Sequence, residues 1–334
     1  MFWQNKNKPR KITEALFYWK AAAIFLLFIF IVAVAWFYFK SKNDSCDYEF
    51  IRNKYPYIDV SRNIIPQEDY IINIQPLREK LNAITEEFGI DSISLYVEFL
   101  ITGANISVNP NLYIYPASLA KVPLAMAVMK KIEKGNWKLE NELVLMKDDK
   151  DNRSGSYENP LSEYPVGTRF TIERLLEELL INSDNTAFFV LLRNIHQDEL
   201  NEIISELGLQ ELFSDNGKIS AKEYSRIFRS LYVSSFLKRE NSDMILRWLD
   251  NSTVDDFLSH DIPKEIPFPH KYGEKITLRI YSDSGIVYIP NRPYLITVMT
   301  KGDPSKSLNQ DIDRTKRFMR QISKEAYDYF SSYR

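Results

Sequence analysis

Residues Ala21 to Phe39 read AAAIFLLFIFIVAVAWFYF, an uncharged apolar run that restricts the rest of the chain more than any other feature. As a helix it would reach roughly 28 Å, about one hydrocarbon core. Tyr18, Trp19, Trp36 and Tyr38 lie near its ends, where interfacial aromatic residues anchor a span. The run exceeds the core of a secretory signal, and no small-x-small cleavage site follows it. An uncleaved transmembrane helix over residues 21–39 is therefore expected. Lys6, Lys8, Arg10, Lys11 and Lys20 precede the run, against Lys40 and Lys42 close behind it. The positive-inside rule then makes residues 1–20 a cytoplasmic tail and puts everything after the span outside the membrane.

The remaining composition narrows the function by exclusion. A net charge of −2 and a pI near 6.1 provide no basic footprint for nucleic acid. A single cysteine, Cys46, excludes an intrachain disulfide, and its flank Asn43-Asp44-Ser45 is not a lipoprotein cleavage text. His196, His260 and His270 lack metal-ligand spacing, and no phosphate loop or G-x-S-x-G is present. Neither a metal nor a cofactor is expected.

Residues 40–75 are polar and aromatic without a sustained period, broken near Pro56, Pro66 and Pro76, and read as a stalk. From Pro76, Leu77, Leu81, Ile84 and Phe88 recur at helical spacing up to Gly89. Residues 92–102 read as a strand, with a second short strand after the turn Gly103-Ala104-Asn105. Helices are expected over 117–133, 171–180, 186–195, 198–207 and 221–232, strands over 276–289 and 293–300, and a terminal helix over 307–330. Strand groups from the two ends of residues 76–334, with helices between them, predict an α/β (α+β) domain. One antiparallel sheet would be flanked by helices and carry an all-helical insertion.

Three short motifs lie within that domain: Ser118-Leu119-Ala120-Lys121, Ser183-Asp184-Asn185 and Lys271-Tyr272-Gly273. Ser118 opens a helix and Lys121 follows at i+3, so both share one face. The helix N-terminus offers unpaired N–H groups and a positive partial charge, which favour a developing alkoxide. Lys121 either adds its ammonium to that field or, neutral when buried, accepts the serine proton. Ser183-Asp184-Asn185 falls between two helices, where Ser183 is also a natural N-cap of the second. Ser235-Phe236-Leu237-Lys238 and Ser214-Asp215-Asn216 repeat two of the motifs, in a loop and in turn chemistry respectively.

In this order, with the lead-in Tyr115-Pro116-Ala117 before Ser118, the set resembles the superfamily of class A β-lactamases and penicillin-binding proteins. The resemblance covers roughly Pro76 to the C-terminus and implies a serine hydrolase with a β-lactamase/transpeptidase-like fold. It implies Ser118 as nucleophile and Lys121 as its assistant, with Ser183 and Lys271 helping the leaving nitrogen depart. The backbone N–H groups of Ser118 and Glu274 would form an oxyanion hole. Asn185, Tyr272 and Gly273 would line the substrate, either a β-lactam or a peptidoglycan peptide. Tyr272 departs from the family's Thr or Ser, so Arg279 on the following strand is a candidate to read a substrate carboxylate in its place.

A second departure concerns deacylation. Class A β-lactamases carry a loop Glu in a Glu-x-Glu-Leu-Asn text. Here Asp198-Glu199-Leu200-Asn201 lies 15 residues after Ser183, within an expected helix. The later segment 210–218 is short and holds only Glu211 and Asp215 as carboxylates. Slow turnover of an acyl-enzyme is the expectation, which leaves a penicillin-binding protein or D-Ala-D-Ala peptidase, or a weakly catalytic wall-binding homologue, as alternatives.

Overall fold

The computed structural model describes residues 17–36, 53–58, 72–89, 92–151, 159–209, 212 and 217–332. The chain forms two compact units, residues 1–54 and 55–334. In the first unit, helix α1 (Phe17–Trp36) is long and apolar enough to cross a membrane, and its side chains are exposed along its length. Phe17, Tyr18, Trp19 and Lys20, ahead of the apolar run, are also helical; residues 37–39 lie outside the described residues.

The second unit includes Tyr55 and the residues near it. Tyr55 and Ile58, inside the segment read as a stalk, are buried. Tyr55 Oη donates to Glu240, Tyr57 Oη donates to Asp250, and Tyr288 Oη donates to the Tyr57 carbonyl. Aromatic residues that looked like linker text thus cover part of the domain.

Helix α2 (Gln75–Phe88) follows, with Pro76 in its first turn and Leu77, Leu81, Ile84 and Phe88 buried. The antiparallel pair β1 (Ile93–Phe99) and β2 (Asn105–Val108) comes next, then helix α3 (Lys121–Glu133). Short strands β3 (Glu142–Val144) and β4 (Arg169–Thr171) pair with each other outside the main sheet. Helices α4 (Ile172–Leu180), α5 (Asn185–Arg193), α6 (Gln197–Leu207), α7 (Ala221–Tyr232) and α8 (Arg239–Asp250) form the expected helical insertion. Strands β5 (His270–Lys275), β6 (Ile280–Val287) and β7 (Tyr294–Lys301) return to the sheet, and α9 (Leu308–Ser332) ends the chain. The five-stranded sheet runs β2-β1-β7-β6-β5, antiparallel throughout, so the chain-end strands meet at β1–β7.

Packing explains the strand composition. Every residue of β1 and β6 is buried, as expected of strands covered on both faces. Helices α2 and α9 pack against each other, with the Phe88 and Phe318 rings stacked at 4.2 Å. Phe330 of α9 stacks on Phe99 of β1 and Tyr294 of β7. Buried glutamate in β1 is matched by charge: Glu98 pairs with Arg229 of α7 and accepts from Tyr96 Oη.

One expected strand is corrected. Residues 276–289 do not form a single strand. Ile276–Leu278 is a 3-10 turn, Arg279 adopts φ +52°, and β6 begins at Ile280. The strand that carries Lys271-Tyr272-Gly273 is β5, whose sequence HKYGEK lacks a β-branched run and becomes a strand by pairing with β6.

Candidate active site

Ser118 lies in a 3-10 turn, Ala117–Ala120, that leads directly into α3. In a 3-10 turn, side chains three apart eclipse, so Ser118 and Lys121 share a face more closely than in an α-helix. The turn is entered through Ala117 at φ +52°, an uncommon conformation for a side-chain-bearing residue. It is fixed from beneath by Tyr224 of α7, whose Oη donates to the Leu119 carbonyl at 2.8 Å. Pro123 is tolerated because the first turn of α3 has backbone N–H groups to spare.

Lys121 is 2% exposed, yet its ammonium is surrounded by acceptors. Nζ donates to the Ser183 carbonyl, to Ser183 Oγ at 3.1 Å and to Asn185 Oδ1 at 2.7 Å. The first two motifs therefore converge at one atom. Burial, and then the nearby Lys271, hold Lys121 well below the usual lysine range, against the pull of Asp184 and Asp151. Burial thus makes the Lys121 ammonium easier to deprotonate than an ordinary lysine, while its three acceptors hold it in place.

Ser183 does not cap α5. It sits at φ +57°, turned towards Lys121, while Asp184 is the N-cap and accepts from Ala187 N at 2.7 Å. Asp184 also accepts from Leu161 N at 3.0 Å, and burial pushes its carboxyl up. The carboxamide of Asn185 bridges two groups, taking Lys121 on its oxygen and giving Nδ2 to Asp151 Oδ2 at 2.7 Å.

The third motif enters on β5. A Cβ on Gly273 would lie 2.9 Å from the backbone N of both Ser118 and Leu119 and 3.0 Å from the Pro116 carbonyl. No larger residue lets the strand lie this close to the nucleophile turn. Lys271 shares the Gly273 face of β5, because residues two apart on a strand point the same way. It is fully buried, and its Nζ has no hydrogen-bond partner among the described residues. Burial pushes Lys271 down to about 7, against the opposing pull of Asp283.

That shift has a consequence for stability. An unfolded lysine stays protonated to about 10.5, so between pH 7 and 10.5 the unfolded chain binds more protons and stability rises with pH. Below pH 7 the cost of burying the ammonium is present in full. Lys271→Met is expected to stabilise the fold by about 1–4 kcal/mol at slightly acid pH. Thermal melts should show this advantage over the wild type shrinking as the pH is raised; a constant advantage would contradict the assignment.

The structure places two expected substrate contacts as follows. Tyr272 lies on the opposite face of β5, 2% exposed, with its ring stacked on Phe257 at 4.0 Å and its hydroxyl donating to Glu274 at 3.1 Å. It belongs to the core beneath the sheet. Arg279 is not on a strand; its guanidinium donates to the Asp303 carbonyl at 3.2 Å and pairs with Asp311 at 3.5 Å. Both side chains therefore have partners within the protein.

The look-alike motifs separate from the site. Glu199 caps α6 through the His196 N–H at 2.9 Å and pairs with Lys131 at 3.0 Å. Burial would raise its carboxyl, but these two partners outweigh it and hold the group low. Ser235-Phe236-Leu237-Lys238 is a connection between α7 and α8 with Phe236 and Leu237 buried. Glu211 and the Ser214-Asp215-Asn216 copy lie outside the described residues. His260 pairs with Asp261 and His270 with Asp283, and no group of metal-ligating side chains gathers among the described residues.

Two site residues lie outside the motifs, Tyr224 and Asp151, and Asp184 acts as a helix cap within the second motif. Tyr224 is one of several buried positions on an amphipathic helix, and Asp151 ends an Asp-Asp-Lys-Asp stretch that reads as solvated surface.

Known proteins resemble the domain at the level of family and fold. The Beta-lactamase enzyme family matches residues 76–330. Beta-lactamase VEB-1 of Pseudomonas aeruginosa is 21% identical over 250 residues, covering 67% of this chain and 81% of VEB-1. The solved structure of PBP-A superposes with a TM-score of 0.67 at 21% identity, covering 77% of this chain and 97% of PBP-A. A beta-lactamase from Sphaerobacter thermophilus gives 0.67 at 20% identity, covering 78% and 98%. These structural likenesses establish the shared fold. With a family match spanning most of its length, on a domain built as an antiparallel sheet plus a helical insertion, the chain belongs to the Beta-lactamase enzyme family.

Proposed function

We propose that the chain is a serine hydrolase acting through an acyl-enzyme on Ser118, with a β-lactam or a related amide as acyl donor. The observation that carries this reading is the convergence on Lys121 Nζ of Ser183 and Asn185, beside a strand whose Gly273 abuts the backbone N of Ser118. Ser118 Oγ attacks the carbonyl carbon, and its proton passes to the neutral Lys121 amine. The oxyanion that forms takes the N–H groups of Ser118 and Glu274, a pair worth several kcal/mol in such sites. The C–N bond breaks as the departing nitrogen receives a proton through Ser183, with Lys271 as the cation behind it. Asn185 retains one amide hydrogen and one lone pair for a substrate amide beyond the bonds it makes here.

Acylation is proposed to outrun deacylation, because Glu199 is committed to capping α6 and to Lys131. A stopped-flow trace with a chromogenic cephalosporin should show a burst near one equivalent and then a slow steady rate. Glu199→Gln should change either phase by less than about threefold, the scale of a surface perturbation. Burst-free turnover that collapses in Glu199→Gln would reverse this assignment. A penicillin-binding role on peptidoglycan peptides is favoured as the second reading by the same feature, since a long-lived acyl-enzyme suits transfer or capture over rapid hydrolysis.

The exposed apolar helix α1 and the basic residues before it support a single-pass membrane anchor with a cytoplasmic tail over residues 1–20 and the hydrolase domain outside. Protease added to intact spheroplasts should digest the domain; protection until the membrane is broken would invert the orientation.

A further inference from the structure

Asp151 is a buried carboxylate outside all three motifs, 5% exposed, in the loop after the 3-10 turn Lys147–Asp149. Its placement is built from two anchors on α5, the helix that carries Asn185. Arg193 grips Asp149 with two bonds, Nε to Oδ1 at 3.0 Å and an η-nitrogen to Oδ2 at 2.8 Å. The backbone N–H of Asp151 donates to Thr186 Oγ1 at 3.2 Å. So held, Asp151 Oδ2 accepts from Asn185 Nδ2 at 2.7 Å, while Asn185 Oδ1 accepts from Lys121 Nζ at 2.7 Å.

A carboxamide has two ends of nearly equal size and opposite hydrogen-bond sense. Turned over, Asn185 would set its oxygen against the Asp151 carboxylate and its NH2 against Lys121. A carboxylate at one end and an amine at the other therefore permit a single orientation. Charge acts in the same direction. The charged groups that act on Lys121 are Lys271 from β5, Asp184 at the cap of α5, and Asp151. Both oxygens of Asp184 are engaged by backbone N–H groups, those of Ala187 and Leu161. Asp151 instead reaches Lys121 through the amide that touches it.

We propose that Asp151 is a positioning residue of the acylation machinery: it locks the Asn185 carboxamide with its oxygen towards Lys121, and its negative charge stabilises the ammonium formed when Nζ takes the Ser118 proton. This rests on the acyl-transfer reading for its kinetic consequence, but not for its effect on Lys121 itself.

The test uses the full-length chain in detergent, as wild type, Asp151→Asn and Asp151→Glu. Two readouts are followed across pH: the acylation rate with a chromogenic cephalosporin, and the side-chain resonance of Lys121 in protein labelled with 13C-lysine, assigned with Lys121→Arg. Asp151→Asn should lower the acylation plateau about tenfold or more, the worth of a charge-assisted hydrogen bond. It should also move the acid limb of the profile and the Lys121 titration together to lower pH, because loss of the negative charge favours the neutral amine. Asp151→Glu, which keeps the charge, should leave the limb in place. In an Asn185→Ala background the penalty of Asp151→Asn should shrink to less than about twofold. A Lys121 resonance that titrates unchanged, or an undiminished penalty in the Asn185→Ala background, would overturn the proposal. If no donor acylates the wild type while the resonance still shifts, the acyl-transfer reading fails and the positioning role stands. Asp151→Ser replaces the Asn variant if that variant does not fold.

Discussion

Ser118→Ala is expected to abolish covalent labelling by a reporter penicillin, and Lys121→Ala to slow it by about 10²–10⁴-fold, the usual worth of a positioned general base. The two variants should otherwise behave as folded protein. Ser118 is half-buried at the entry to α3, and its replacement removes one hydroxyl. Lys121 is wholly buried, and its removal relieves the cost of desolvating an amine while leaving the Ser183 carbonyl and Asn185 Oδ1 without their donor. Melting temperatures close to the wild type, combined with lost labelling, would separate chemistry from stability. Labelling of Ser118→Ala at the wild-type rate would remove Ser118 from the mechanism.

Gly273→Ala is expected to have the second largest effect. Its Cβ would sit 2.9 Å from two backbone nitrogens, which belong to the nucleophile turn and cannot rotate away as a side chain could. The strand and the turn must part. Oxyanion donors act within about 2.7–3.1 Å, and losing one such donor costs about 10²–10³-fold in rate. Overpacking also destabilises by about 1–3 kcal/mol. The acylation rate constant should fall by that factor, with a smaller loss in thermal stability. Unchanged acylation in Gly273→Ala would show that the close approach of β5 is not part of the catalytic geometry.

How much of this was legible in the sequence follows from where the information lies. Helix α7 occupies residues 221–232 as its periodicity predicts, because Ser220 caps Glu223 N and an apolar stripe fixes the buried face. Local signals sufficed there. They failed for β5, whose polar text becomes a strand only by pairing with β6, and for the three-residue strands β3 and β4, which are too short to show a period. Helix α8 gives no start signal, since Lys238 caps it without a side-chain bond. At the site, the first two motifs marked residues that meet at Lys121 and the third marked the strand beside the Ser118 turn, because each sits at the end of a helix or on a strand whose position the fold fixes. Asp184 rather than Ser183 caps α5 because Ser183 takes a left-handed conformation to face Lys121. The surroundings of Tyr272 and Arg279 were not legible, because strand alternation turns the first into the core and the hairpin turn sends the second to Asp303 and Asp311. Asp151 was invisible because its role depends on a contact across 34 residues.

Every kinetic expectation above depends on a covalent acyl-enzyme at Ser118. Intact-protein mass spectrometry of the full-length chain after brief exposure to a penicillin, followed by peptide mapping, tests it most directly. One added acyl group per chain is expected, persisting through the slow phase and mapping to the peptide that contains Ser118. An adduct on Ser235 or any other residue, or no adduct with any β-lactam or peptide acyl donor, would contradict it.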